Sequence, residues 1–249
     1  MTSYKKFHQL HYQQTPFLLA NAWNAKSAQL IEQAGFEAIG TSSGAISNSL
    51  GYEDGEKIPF NELLYVVQRI KASTSIPLSV DMERGYSDDL KILTDNIQKL
   101  IDAGVSGINI EDAQGEDSYL RKLECIKNYL DKNNQSLFIN ARTDAFLQKL
   151  PTPLAITIKR AKRYQDAGAD GLFVTAVPDV ATIKEITTST TLPVNIVGTS
   201  KLSVAALAAA GVKRISMAVQ LYKAAYNYLE QISRNIKSEQ SVSPLFLKS

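Results

Sequence analysis

Asp81 and Glu83, then Glu111 and Asp112, supply four carboxylates from two short segments, and Arg142 follows them. Carboxylates brought close together without a counter-ion repel, and some must take up protons. A hard divalent cation removes that conflict. Because the donors on offer are all oxygens, the set favours Mg²⁺ or Mn²⁺ over zinc. Mg²⁺ takes one or two carboxylates directly and fills its other positions with water and substrate oxygens. Arg142 adds a permanent positive charge suited to an oxyanion. The turn Thr41-Ser42-Ser43-Gly44 offers backbone N–H groups to an anion. Asp81 and Glu83 are spaced i, i+2, so a regular strand would place them on one side. Any one of these acids could cap a helix or pair with a lysine. Their joint pattern with Arg142 points to a metal and anion site.

Such residues need a frame, and the sequence repeats one. Gln33-Ala-Gly-Phe-Glu-Ala-Ile-Gly40 returns as Asp102-Ala-Gly-Val-Ser-Gly-Ile-Asn-Ile110, as Asp166-Ala-Gly-Ala-Asp-Gly-Leu-Phe-Val174 and as Ala210-Gly-Val-Lys-Arg-Ile-Ser216. In each copy a helix is expected to end at glycine, and a short apolar run follows as a strand buried on both faces. Between the copies lie further strand candidates at Phe17–Ala20, Pro77–Asp81, Leu137–Asn140 and Pro193–Val197. The segments that separate them carry helical periodicity. Leu63, Val66, Val67 and Ile70 share one face, and Leu90, Leu93, Ile97, Leu100 and Ile101 share another. Strand and helix alternate with no Gly/Ser-rich linker, which predicts a single (β/α)8 TIM barrel over residues 1–236 and a tail over 237–249. The apolar patch Pro244-Leu-Phe-Leu247 in that tail is expected to fray, with docking on a second subunit as the alternative.

Composition narrows the partners. The 249 residues include 27 basic and 25 acidic side chains, a net charge of +2, which offers no basic stripe for nucleic acid or an anionic membrane. No apolar run approaches the roughly 18–20 residues of a membrane span. No apolar core follows the N-terminal lysines, so no secretory signal is expected and a cytoplasmic location is. Cys125 is the single cysteine, which excludes an internal disulfide. It falls in a helical stretch and is read as a packed, inert thiol. His8 and His11 lack a third ligand nearby and are read as surface residues.

In a barrel of this kind the active site lies where strands end. Four such ends read Thr41-Ser-Ser-Gly-Ala-Ile-Ser-Asn-Ser-Leu-Gly-Tyr-Glu-Asp54, Asp81-Met-Glu-Arg-Gly-Tyr86, Ile108-Asn-Ile-Glu-Asp112 and Ile139-Asn-Ala-Arg-Thr-Asp-Ala145. Together, in this order, they resemble the isocitrate lyase/phosphoenolpyruvate mutase family from about Phe17 to Tyr222. The resemblance implies a barrel that binds a 2-oxo acid or its enolate through Mg²⁺. It implies Asp81 as the direct metal ligand, Glu83 and Glu111 acting mostly through metal-bound water, and Asp54 supporting that shell. Ser42, Ser43 and Gly44 would hold the substrate carboxylate and Arg142 would stabilise developing negative charge. Trp23, Thr175 and Asn195, at the ends of the first, sixth and seventh strands, complete the expected substrate-binding set. The resemblance also implies a homodimer or homotetramer, with Ala218–Ile236 as a helix exchanged between subunits.

The loop after the fourth strand departs from the family. It reads Ala113-Gln-Gly-Glu-Asp-Ser-Tyr-Leu120 and lacks the Lys-Lys/Arg-Cys-Gly-His motif of the lyases. The lysine and asparagine of the mutases are not evident there, and Thr175 stands where the mutase has histidine. Glu83 stands where many relatives have aspartate, and Gly40 where the mutase has tryptophan. Ser118 and Tyr119 are the candidates to replace the missing proton donor. The leading expectation is a Mg²⁺-dependent enzyme cleaving a carbon–carbon bond in, or decarboxylating, a small 2-oxo or 2-hydroxy acid through a metal-bound enolate. A phosphonopyruvate-type mutase or hydrolase and a non-catalytic 2-oxo acid binder are the alternatives.

Overall fold

The computed structural model describes residues 1–246. Helix α1 (Ser3–Leu10) precedes β1 (Phe17–Ala22), and α2 (Ala25–Gln33) leads to β2 (Ile39–Thr41). Two helices, α3 (Ser43–Ser49) and α4 (Phe60–Ala72), separate β2 from β3 (Leu78–Asp81). Strict alternation follows: α5 (Leu90–Asp102), β4 (Gly107–Glu111), α6 (Glu116–Lys132), β5 (Phe138–Thr143), α7 (Pro153–Asp166) and β6 (Gly171–Val174). The series ends with α8 (Val180–Thr188), β7 (Val194–Val197), α9 (Val204–Ala209), β8 (Arg214–Ser216) and α10 (Gln220–Glu239). The strands close into a parallel barrel in chain order, with β8 pairing back onto β1. This is the (β/α)8 barrel that the repeats predict.

The repeats explain the geometry. Gly35, Gly104, Gly168 and Gly211 all adopt positive φ just beyond α2, α5, α7 and α9, and each stops its helix before the next strand. The helices then turn their apolar faces onto the outside of the barrel. Leu63, Val67 and Ile70 of α4 and Leu93, Ile97 and Leu100 of α5 are fully buried there. Val66 and Ile101 are only partly buried, and Leu90 is exposed at the start of α5.

Inside the barrel the amino-terminal end is aromatic. Phe7 and Leu10 of α1 pack on Phe17, Leu19, Ala38 and Phe138 and close that end. His11 belongs to this plug and not to the surface. It is buried, stacks on Phe138 with ring centroids 3.9 Å apart, and its Nδ1 bonds to the Phe7 carbonyl oxygen at 2.9 Å. Burial, then the nearby charge of Arg214, hold its pKa well below the usual value. Above the plug the interior turns polar. Arg214 of β8 reaches Asn109 of β4 on the opposite side of the barrel.

Helix α10 starts two residues after the expected Ala218 and continues past residue 236 to Glu239. The tail does not simply fray: Ser243–Phe246 form a 3₁₀ turn packed on α10, with Pro244 buried and Leu245 and Phe246 exposed. Leu247, the end of the predicted apolar patch, lies outside the described residues. No described helix is long and apolar enough to cross a membrane.

Candidate active site

Asp81 ends β3 with its backbone N–H donating to Thr41 Oγ1 (2.8 Å), and its Oδ2 accepts from Ser43 Oγ (3.1 Å). The chain then leaves the strand. Glu83 adopts φ of 47°, and its N–H turns back towards Asp81 Oδ1 at 3.4 Å. A left-handed turn, and not strand alternation, therefore keeps these two carboxylates together. Glu83 Oε1 accepts from the Tyr86 hydroxyl (3.0 Å) and Oε2 from the Glu56 N–H (2.7 Å). Glu56 in turn accepts from the N–H groups of Arg84 and Tyr86 (2.9 and 2.8 Å) and pairs with the Arg84 guanidinium (2.8 Å). Glu56 thus ties the Asp54 loop to the β3 turn. No local signal in the sequence marks Glu56, because its partners come from a different strand end.

Arg142 sits two strands away on β5, level with Glu111 across the ladder. Its Nη1 lies 2.7 Å from Glu111 Oε2, and its Nε and Nη2 each donate to Asp144 at 2.8 Å. The guanidinium carbon lies 5.9 Å from the centre of the Phe173 ring. Thr175 donates to Asp144 Oδ1 (2.7 Å), so its hydroxyl proton is committed to holding the clamp. Asp112, next to Glu111, points the other way. Its Oδ2 accepts from Arg160 Nη1 (2.8 Å) and the Tyr164 hydroxyl (2.6 Å), and its Oδ1 from the Asp144 N–H (3.0 Å). Asp112 is a buried structural anchor, and the apparent group of four carboxylates reduces to Asp81, Glu83 and Glu111.

These three share too little positive charge. Burial, then Asp81 and Asp54, push the Glu83 pKa up to about 7. Burial pushes Glu111 up to about 8, with Arg142 opposing and Asp81, Asp144 and Glu83 adding to the rise. Burial also raises Asp81, against the opposing charge of Arg142. For Arg142 burial works against the charge, but hydrogen bonds to Asp144 and the surrounding carboxylates outweigh it and hold the guanidinium firmly protonated. A divalent cation would meet this deficit, and the all-oxygen donor set suits Mg²⁺. Among the described residues no three acid, histidine or cysteine side chains converge as a closed metal cage. One direct carboxylate, with others acting through water, is the arrangement Mg²⁺ tolerates best.

A cavity of about 570 Å³ opens over Asp81 and Arg142. Ser42, Ser43, Gly44, Asp54 and Thr175 line it, with Asn109 and Ser216 also reaching it. Ser43 and Gly44 occupy the first turn of α3, where backbone N–H groups have no partner within the helix. Gly44 has a further role: a Cβ there would lie 2.9 Å from Asp54 Oδ2, so glycine lets that carboxylate approach. Tyr222, Lys223 and Tyr226 of α10 cover the mouth, and Tyr222 donates to Asn48 Oδ1. Glu83 and Glu111 do not themselves line the cavity, and each touches a group beside it, Glu83 through the Asp81 turn and Glu111 through Arg142.

Four expected positions fall elsewhere. Trp23 meets Tyr222 edge-on at 5.4 Å and supports the roof without lining the cavity. Asn195 is buried in the barrel below Ser216, whose hydroxyl donates to its Oδ1 (2.9 Å). Tyr119 is not a loop residue, because α6 already begins at Glu116. Its side chain is buried, its hydroxyl donates to the Ile110 carbonyl (2.8 Å), and burial followed by Asp112 raises its pKa. Ser118 lies half-buried on the same helix and also misses the cavity. Cys125 of α6 is half-buried, and burial raises its pKa, as expected of an inert thiol.

The fold agrees with what the chain is similar to. A family model described as phosphoenolpyruvate phosphomutase matches residues 7–237. The chain belongs to the phosphoenolpyruvate mutase/isocitrate lyase superfamily. Members of that superfamily are lyases, mutases and hydrolases acting on small acids. An uncharacterised protein of Mycobacterium tuberculosis H37Rv is 37% identical over 221 residues, 88% of this chain and 83% of that one. An oxaloacetate decarboxylase of Rhodopseudomonas palustris BisB18 is 33% identical over 195 residues, 73% of this chain and 66% of that enzyme. The crystal structure of a phosphonomutase candidate from Burkholderia cenocepacia J2315 superposes with a TM-score of 0.88 at 32% identity, covering 94% of this chain and 98% of that one.

Proposed function

We propose that this protein is a Mg²⁺-dependent enzyme that cleaves a carbon–carbon bond in a small 2-oxo or 2-hydroxy acid. Decarboxylation of a 2-oxo acid that carries a second carboxylate, as oxaloacetate does, is its leading reaction. The observation that carries this reading is the charge-deficient cluster of Asp81, Glu83 and Glu111 facing a rigidly clamped Arg142. When bound, Mg²⁺ supplies a Lewis acid that lowers the cost of forming an enolate. Asp81 offers the direct carboxylate, and Glu83 and Glu111 act through water. The N–H groups of Ser43 and Gly44 hold the 2-carboxylate. Arg142 faces the negative charge that develops on the 2-oxo oxygen, held in place before the reaction begins.

The segment after β4 favours decarboxylation over a lyase reaction on a hydroxy acid. Cleaving a hydroxy acid needs a base for the hydroxyl, whereas carbon dioxide leaves without one. Here Tyr119 is engaged with a backbone carbonyl, and Glu116 is paired with Arg163. In the proposed step the bond to the second carboxylate breaks and carbon dioxide departs. Its electron pair moves to the 2-oxo oxygen to form an enolate, and solvent returns a proton to carbon. The proposal includes a homodimer or homotetramer, because α10 leaves Tyr226, Tyr228 and Leu229 exposed.

The test is calorimetric titration of oxalate, a planar enolate mimic, with Mg²⁺ and then with EDTA, followed by an assay for carbon dioxide release from oxaloacetate. Binding that requires Mg²⁺ and turnover above the uncatalysed rate are expected. Binding without turnover on any 2-oxo acid would favour a non-catalytic binder, and a broken P–C bond in phosphonopyruvate, followed by phosphorus NMR, would favour phosphonate chemistry.

A further inference from the structure

Below the cavity lies an arginine that the chemistry above does not use. Arg214 is fully buried, and among the described residues no carboxylate lies within ion-pair distance of it. Burial lowers its pKa to about 9, which still leaves it charged at neutral pH. Its Nε donates to Ser216 Oγ (3.3 Å) and its Nη2 to Asn109 Oδ1 (3.2 Å). Asn109 Oδ1 also accepts from Asn140 Nδ2 (2.9 Å). Two donors on one oxygen settle which way the amide faces, because a flipped Asn109 would set its N–H groups against two other N–H donors.

The Asn109 Nδ2 group is therefore turned away from both donors. It makes no hydrogen bond to any described residue, is not among the sealed polar atoms, and belongs to a side chain that lines the cavity. Strand register sets Asn109 directly beside Asp81. Three of the hydroxyl protons around the cavity are already taken, that of Ser43 by Asp81, that of Thr175 by Asp144 and that of Ser216 by Asn195, whereas Thr41 and Ser42 accept from backbone N–H groups. Asn109 is left as a free, neutral donor on the cavity floor. Such a group can meet a substrate oxygen without neutralising the adjacent carboxylate.

We infer that Asn109 is a substrate-binding residue that donates a hydrogen bond to an oxygen of the small oxo acid, and that Arg214 is the positioning residue that fixes the polarity of its amide. This deepens the proposed function and rests on it. The experiment is oxalate titration with Mg²⁺ on the full chain, with thermal melts to establish folding. Asn109→Leu is expected to weaken oxalate about 10- to 100-fold, the range of one hydrogen bond to a charged group. Asn109→Asp still offers Arg214 and Asn140 an acceptor, so it keeps the fold while exchanging the donor for an oxygen, and it should bind at least as weakly. Arg214→Lys keeps the charge but cannot span Asn109 and Ser216, and a loss of about 3- to 10-fold is expected. In the double variant Asn109→Leu/Arg214→Lys the loss should match Asn109→Leu alone within about 2-fold, because both changes remove one contact.

Should either Asn109 variant fold and bind oxalate within about 2-fold of the wild type, the binding role of Asn109 is wrong. Losses that multiply in the double variant would remove Arg214 from its positioning role. A wild-type protein that binds no oxalate overturns the reading of the site and this inference with it. Wild-type binding with unaffected variants overturns the inference alone.

Discussion

At the amino-terminal end of the barrel, Phe7 meets Phe17 and Phe138 edge-on at 6.2 and 5.6 Å, and His11 stacks on Phe138. At the carboxyl-terminal end, Asp81, Glu83 and Glu111 crowd one another, and Glu83 and Tyr86 hold positive φ in the turn that carries them. One end is closed by packing. The other holds backbone strain and a repulsion between carboxylates that a bound cation would relieve. Strain of this kind persists only where surrounding structure over-determines it, and here Glu56 supplies that structure with four hydrogen bonds to its neighbours. Stability and binding should therefore separate by end, and substitutions can test the division.

The largest effect should come from Asp81→Ala. It is expected to remove Mg²⁺-dependent oxalate binding, a loss beyond about 100-fold, without lowering Tm, since it also removes a buried, repelled carboxylate. Calorimetry beside a melting curve reads both, and a variant that still binds would end the division at once. Phe7→Ala should show the reverse, a loss of about 3–5 kcal/mol in urea unfolding with oxalate affinity in the folded fraction unchanged. Asp112→Ala probes the boundary. Although it directly follows β4 and Glu111, it should behave like the plug and cost about 3–5 kcal/mol, because Arg160 is left buried without its partner.

A smaller effect follows from pH. Glu83 and Glu111 have folded-state pKa values of about 7 and 8, above the ordinary 4.5 of an unfolded glutamate. Between those values the folded chain binds more protons than the unfolded one, so stability falls as pH rises. The metal-free protein should lose Tm steadily from about pH 5 to 8.5, and Mg²⁺ should reverse the trend by favouring the ionised forms. A Tm that climbs with pH in EDTA would contradict the charge deficit. Least of all, Cys125→Ser should change stability by no more than about 0.5 kcal/mol and leave binding alone, as measured by the same melts and titrations.

Much of this division is legible in the amino-acid sequence. Helix-stopping glycines at 35, 104, 168 and 211 recur with the strands they introduce, and recurrence of a local unit is what one-dimensional pattern can carry. Asp81, Glu111 and Arg142 are legible too, because residues at strand ends in a barrel share one face. Adjacent residues are harder. Glu111 and Asp112 look alike in sequence, and only the pleat of β4 sends one into the site and the other to Arg160 and Tyr164. Tyr119 reads as a loop donor because Gly115 caps α6 without a side-chain bond, which leaves the acidic pair Glu116 and Asp117 of the first turn as the local mark of the helix start.

What the sequence determined by itself is the number and order of the units, the family and the strand ends at which polar residues gather. These depend on periodicity and residue type, both local. What only the tertiary structure decided is which side chains meet across the barrel: Glu56 with Glu83, α10 over the mouth, and Arg214 with Asn109. Those contacts join residues far apart in the chain, and they exist because eight twisted strands close into a ring narrow enough for one arginine to span.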